Sequence, residues 1–172
     1  MSLGKMSELE SLKKTSIGEK HLVLFRIGEE EFGVDISEVR EIIKMDTVTK
    51  IPNTPSYIVG AINLRGAIIT VIDLAAKLGL KSKPTDKNTR IIVIELKTSV
   101  VGMIVESATE VLRLNSDQMQ PTPQIIGNQL QRRIHSEFIA GIGTLKDRMI
   151  ILLDLKKVIE TKELEGLQIS NK

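Results

Sequence analysis

Two histidines, two matched aspartates and one glycine pair are the residues whose types could do chemistry in this sequence. His21 stands at the start of an apolar alternating stretch and His135 in a polar segment. A histidine pair can ligate a metal or move protons near neutral pH. A metal site needs further ligands at recognisable spacing, and none accompanies these two. Asp73 and Asp154 occupy equivalent places in the two halves of the chain, which suggests a carboxylate dyad. Each immediately precedes a short helical stretch, however, where an N-cap accounts for it. Gly141-Ile-Gly143 lacks the third glycine and the following Lys-Ser/Thr that would complete a phosphate cradle. It reads as close strand packing at a glycine bend. Cysteine is absent, which removes thiol nucleophiles, disulfides and cysteine-type zinc sites and fits a reducing compartment. The chain is therefore expected not to be an enzyme and to hold no metal.

Glu41 and Arg65 are the remaining charges of interest. Arg65 lies in a tight turn between apolar stretches, just before Gly66, and its counterpart in the second half is Lys146. A solvated turn residue is the plain reading. The sharper one has a carboxylate hold the guanidinium and present it at a protein interface, where arginine is enriched.

Composition narrows the partners. At 172 residues the chain is expected to form one domain or two small lobes with a common core. Aromatics are only 2%, whereas isoleucine occurs 24 times. A core of β-branched residues favours sheet. The 24 basic and 22 acidic residues leave a net charge of +2 with Lys and Arg scattered. That lacks the basic patch and stacking aromatics of a nucleic-acid binder. No apolar run approaches the ~20 residues of a membrane span, and the N-terminus lacks a signal-peptide pattern. A cytoplasmic protein without direct membrane insertion is expected.

The elements follow from periodicity. Residues 1–19 read as a polar tail; Ser7 and Glu10 could cap a short helix there, and positions 1–5 could be a cloning remnant. Val23, Phe25 and Ile27 alternate with Leu22 and Leu24, a turn follows at Gly28, and Phe32, Val34 and Ile36 alternate onward. This is a hairpin pattern. Residues 37–43 read as a short turn capped by Ser37 and then a strand. Pro52 and Pro55 break the chain before two strands at 57–63 and 67–73. Asp73 caps a helix over 74–78 that stops at Gly79, and 81–88 is a polar loop.

The second half repeats the first. At an offset of 69, Val23 meets Ile92, Phe25 meets Ile94, Gly33 meets Gly102 and Glu41 meets Glu110. At an offset of 81, Gly60 meets Gly141, Leu64 meets Leu145 and Asp73 meets Asp154. A Pro/Gln-rich insert at 118–133 supplies the difference. One domain over 20–162, with a tail over 163–172, is expected. Its fold class is all-β, built as two small barrels with pseudo-two-fold symmetry that share apolar surface.

With these pieces in order, the sequence resembles the CheW family. The signature stretch is Gly60-Ala-Ile-Asn63-Leu64-Arg65-Gly66-Ala-Ile-Ile-Thr-Val-Ile-Asp73-Leu74. Glu31-Phe-Gly33-Val-Asp35-Ile36, Val39-Arg-Glu41-Ile42 and Ile51-Pro52-Asn53-Thr54-Pro55 match the family's first half. Val101-Gly102-Met-Ile-Val105 and Gly141-Ile-Gly143 through Asp154-Leu155 match its second. Thr70 departs from the pattern, standing where the family commonly has proline. The resemblance implies two SH3-like five-stranded barrels around a common core. It also implies a non-enzymatic adaptor joining chemoreceptor cytoplasmic tips to the regulatory domain of the histidine kinase CheA. Such an adaptor works without cofactor, with other CheW-like domains in arrays at the membrane. By the same resemblance Glu41 and Arg65 form a coupling pair, Gly60, Asn63, Leu64 and Gly66 shape the signature turn, and Ile36, Val39, Ala108 and Val111 line the receptor groove.

Overall fold

The alternation of apolar residues sorts this chain into layers. In the computed structural model, which describes residues 19–97, 99–121 and 134–159, strand β1 (Glu19–Ile27) sends Val23, Phe25 and Ile27 into one apolar cluster and Leu22 and Leu24 into another. Successive side chains of a strand point to opposite faces, so one strand serves two cores. Strand β6 (Arg90–Glu95) does the same, with Ile92 and Ile94 in the first cluster and Ile91 and Val93 in a third.

Two sheets result. One has six strands in the order β8 (Ser107–Asn115), β1, β2 (Glu30–Asp35), β11 (Arg148–Leu153), β10 (Ile139–Leu145) and β9 (Met119–Gln120). The other has five, in the order β3 (Val39–Lys44), β6, β7 (Val100–Val105), β5 (Ala67–Asp73) and β4 (Ile58–Leu64). The chain is all-β with two barrel-like sheets and a few short helices. The expected five strands per barrel hold for one sheet; the two-residue β9 adds a sixth to the other. The related edge of the five-stranded sheet carries a single bridge, between Thr49 and Ala61.

The repeat is not divided one half per sheet. Hairpin β1–β2 of the first half joins β8–β11 of the second, and hairpin β6–β7 of the second half joins β3–β5 of the first. Each exchanged hairpin is held on one side by an antiparallel pairing, β1 with β8 or β6 with β3, and on the other by a parallel one: Leu152 of β11 lies opposite Gly33 of β2, and Val71 of β5 opposite Gly102 of β7. Between the sheets lies the largest cluster, which holds Phe25, Phe32, Ile72, Ile92, Met103 and Ile151, all fully buried.

The short elements follow local rules. Asp73 caps α1 (Leu74–Leu78) by accepting from the Ala76 N–H at 3.5 Å, and Gly79 ends it in the left-handed region at φ 86°. Asp154 accepts from the Lys157 N–H at 3.3 Å over α2 (Leu155–Ile159), so both aspartates act as caps. The 3-10 turn Ile36–Glu38 is capped by Asp35, not by Ser37; Asp35 Oδ1 accepts from the Ser37 N–H at 2.9 Å. The aspartate just before the turn, two residues ahead of Ser37, reaches the free N–H better than the serine inside it. At the close of α1, Lys77 Nζ lies 4.1 Å from the Tyr57 ring centre and 5.5 Å from that of Phe138, its repeat counterpart. The expected cap at Ser7 and most of the 118–133 insert lie outside the described residues.

Gly60 is required by both conformation and space. Its φ is 154°, and a Cβ there would collide with the Thr49 carbonyl oxygen that receives the Ala61 N–H. Gly60→Ala is expected to lower the unfolding free energy by roughly 3 kcal/mol or more in urea titration. Gly28→Ala is the comparison: Gly28 has φ 61° but open space around it, so it should cost only about 1 kcal/mol.

Candidate functional site

The pair Glu41 and Arg65 is assembled by a bulge and a turn. In β3 the register against β6 slips between Val39 and Glu41, and a bulge of this kind re-aims the side chain that follows it. Hairpin β4–β5 closes on Arg65-Gly66, both at positive φ (51° and 88°), as a two-residue hairpin of the primed type requires. Asn63 Oδ1 accepts from the Gly66 N–H at 2.9 Å and locks the turn, while Leu64 pairs with Ala67 across it. Arg65 Nη2 then donates to Glu41 Oε2 in an ion pair. The partners are unequal in environment: the Glu41 side chain is 4% exposed and the Arg65 side chain 60%. A buried carboxylate thus anchors an arginine side chain that stays largely exposed. Two residues beyond the turn, Ile68 is 56% exposed, the more open of two exposed large hydrophobics among the described residues; the other is its repeat counterpart Met149.

The second half treats the same position differently. Glu110 matches Glu41, but its partner is Arg148 and not Lys146, the match of Arg65. Arg148 Nη2 donates to Glu110 Oε1 at 2.7 Å and to Glu31 Oε2 at 2.7 Å, while its Nε reaches Glu31 Oε1 at 3.2 Å. The bidentate grip on Glu31 holds the strands of both halves together across the β2–β11 seam. The side-chain hydrogen bond from Arg148 pulls the Glu31 carboxyl below its ordinary 4.5, against the opposing effect of burial. Its two carboxylate partners hold Arg148 protonated beyond the ordinary arginine range. Sequence periodicity gave no sign of this cluster, because the parallel register that brings β11 to β2 is visible only in the fold.

The four residues expected to line the groove divide in two. Ile36 and Val39 are 1% and 0% exposed and belong to the core between the sheets. Ala108 and Val111, on β8, are half-buried and pack against that same cluster. All four therefore border one apolar body, but only the β8 pair has surface. Glu38, beside them, has its carboxyl raised above 4.5, chiefly by burial and then by the nearby charges of Asp35 and Asp154.

The histidines stay apart. His21 is buried in β1, where its Nε2 accepts from Arg113 Nε at 3.3 Å, and His135 is exposed with its ring edge-on to Phe138. Among the described residues no group of three or more His, Cys, Asp or Glu is placed to hold a metal ion. Gly141 and Gly143 are strand residues pressed against the Gln120 carbonyl and the Leu114 side chain.

The CheW-like domain family matches residues 21–163. The chain belongs to the CheW-like family. A chemotaxis protein CheW of Klebsiella aerogenes is 36% identical over 159 residues, covering 92% of each chain. A probable chemotaxis protein CheW of Rhizobium etli is 40% identical over 158 residues, covering 91% of this chain and 97% of its own. The crystal structure of the scaffolding protein TtCheW from Thermoanaerobacter tengcongensis superposes with a TM-score of 0.75 at 37% identity, covering 84% of this chain and 94% of that one. The role of this CheW-like chain is that of a chemotaxis coupling scaffold. Among the described residues no helix is long and apolar enough to cross a membrane.

Glu31 and Glu38 give opposite pH signatures. Glu31 takes up a proton more readily unfolded than folded, so its stabilisation is full at neutral pH and is lost as pH falls through its lowered folded value. Glu38 takes up a proton more readily folded, so its contribution is greatest in acid and is lost as pH rises through its raised value. Unfolding free energy measured from about pH 6 to about pH 3 should fall less steeply in Glu31→Gln than in the unaltered chain, and more steeply in Glu38→Gln.

Proposed function

We propose that this scaffold works without catalysis, joining the cytoplasmic helical tips of chemoreceptors to the regulatory domain of the histidine kinase CheA. The observation that carries this reading is the exposed Arg65 guanidinium, held in place by buried Glu41 beside exposed Ile68. A pre-positioned arginine next to an open apolar side chain is the composition of a protein-binding hot spot. Holding the guanidinium in advance reduces the ordering cost that a mobile side chain would impose on association.

The receptor contact is assigned to β8. An amphipathic helix lays its apolar residues into a groove with small and branched side chains on the walls. Ala108 and Val111 meet the helix directly; Ile36 and Val39 form the floor behind them and set the wall's position. The same reading puts the protein in the cytoplasm, drawn to membrane-associated receptor arrays through the receptor and through neighbouring CheW-like domains.

The test is CheA autophosphorylation in a reconstituted mixture with receptor signalling domains, with and without this chain. Its addition should make kinase activity follow receptor state. Arg65→Lys keeps a charge opposite Glu41 but loses the planar fork, and should weaken coupling by about ten-fold with little change in melting temperature. Val111→Lys should lose receptor binding while retaining kinase binding. If the unaltered chain neither changes the kinase's receptor dependence nor binds its regulatory domain, the assignment of partners is wrong. If Arg65→Lys melts far below the unaltered chain, Arg65 is structural.

A further inference from the structure

Strand order divides the chain into one continuous body and one assembled body. Residues 39–105 supply all five strands of the smaller sheet. The six-stranded sheet takes β1 and β2 from residues 19–35 and its other strands from residues 107–153. Hairpin β1–β2 therefore finds its partners far along the chain, β1 against β8 and β2 against β11. Side chains follow the same route. Arg148 grips Glu31, Arg113 meets Glu19 and His21, and the Thr109 hydroxyl donates to the Leu24 carbonyl.

The 3-10 turn Ile36–Glu38 joins that hairpin to β3. Asp35 and Val39 on either side of it already have extended backbone, with ψ of 125° and 120°, so unbending three residues turns the corner into a straight tether. The closed turn is also electrostatically unfavourable. Glu38 is half-buried, with the like charges of Asp35 on β2 and Asp154 at the cap of α2 nearby and Lys20 of β1 offsetting them. Its carboxyl is raised above the ordinary value by burial first and by those two aspartates next. An ionised carboxylate in that setting opposes closure. The repeat supplies a precedent for opening it. Hairpins of the two halves already sit in each other's sheets, so the seat of β1–β2 receives a hairpin from a different unit.

We propose that two copies of this chain exchange hairpin β1–β2, each seating it between β8 and β11 of the other, with residues 36–38 as the hinge. Both strand pairings and the hairpin's share of the apolar layer are kept in such a dimer. What distinguishes it from the monomer is the hinge and the freedom lost on association. A chain's own hairpin competes at an effective concentration in the millimolar range, as for any short tether. The exchange is therefore made when chains fold together at comparable concentration. The Arg65 turn lies within residues 39–105 and is the same in either form.

The sequence has no cysteine, so single-cysteine variants report which chain a hairpin occupies. Arg26 and Ser107 lie opposite each other in the β1–β8 pairing. Equal amounts of Arg26→Cys and Ser107→Cys are refolded together from urea at about 1 mM and at about 10 μM protein. A short bismaleimide then links adjacent thiols, and light scattering behind a sizing column gives the mass. The concentrated sample should contain a dimer carrying the link between chains, and the dilute sample should be monomeric. Adding Glu38→Gln to both chains removes the charge that opposes the closed turn and should cut the dimer's share about three- to ten-fold. No dimer at about 1 mM, a dimer without the interchain link, or an unchanged dimer share in a folded Glu38→Gln would each overturn the proposal. Should that variant fail to fold, the link in chains with the unaltered hinge decides.

Discussion

The exchange of hairpins between its two halves holds this molecule together, through the parallel pairings β2–β11 and β5–β7 and the antiparallel pairings β1–β8 and β3–β6. Each joins a hairpin from one half of the sequence to strands from the other, so neither sheet can be completed by one half alone. Parallel pairs need long connections and close late, because the loop entropy must be met before the contact forms. What makes the exchange favourable is the apolar layer between the sheets. Phe25 and Phe32 stack at 5.6 Å from the six-stranded sheet, and Ile92, Ile94 and Met103 face the same layer from the five-stranded one. Neither barrel-like sheet alone covers that layer; each uses the other as its second wall.

On this duplicated frame the two halves have diverged at one place. The bulge and turn that bring Glu41 to Arg65 recur near Glu110 and Lys146, where the backbone again takes positive φ at Lys146. There the carboxylate is occupied by Arg148, which is also gripped by Glu31 and only 35% exposed. One copy of the site is a brace across the β2–β11 seam. The other leaves its arginine side chain 60% exposed. Two acidic positions related by the repeat thus hold their arginines differently, braced across a seam in the second half and largely exposed in the first.

Much of this was legible before the fold. The period-two runs around Gly28, the strands on either side of Arg65-Gly66 and the caps at Asp73 and Asp154 are local, and local chemistry decides them. The repeat offsets foretold which residues would be equivalent: Leu22 and Ile91 point into barrel interiors, while Val23 and Ile92 point between the sheets. The pairing of the halves was not legible, since nothing in a strand's own sequence says that β2 will lie beside β11. For that reason the Arg148 cluster was missed, and the offset pointed to Lys146. Burial is not legible either: Val39, which the resemblance places on the groove, is fully buried, and a strand residue facing the central layer looks the same in sequence as one facing a cleft. The cap of the 3-10 turn moved from Ser37 to Asp35, a shift of the size at which element boundaries are always least certain.

If strand exchange governs stability, the two sheets cannot open separately. Native-state amide hydrogen exchange in low denaturant tests this directly. The buried amides of β1 and β2 in one sheet and of β6 and β7 in the other should exchange through a single opening, with the same free energy and the same denaturant dependence. A set of core amides in one sheet that exchanges through a distinctly lower-energy opening, while the other sheet stays protected, would show that each sheet holds its own and would contradict the account.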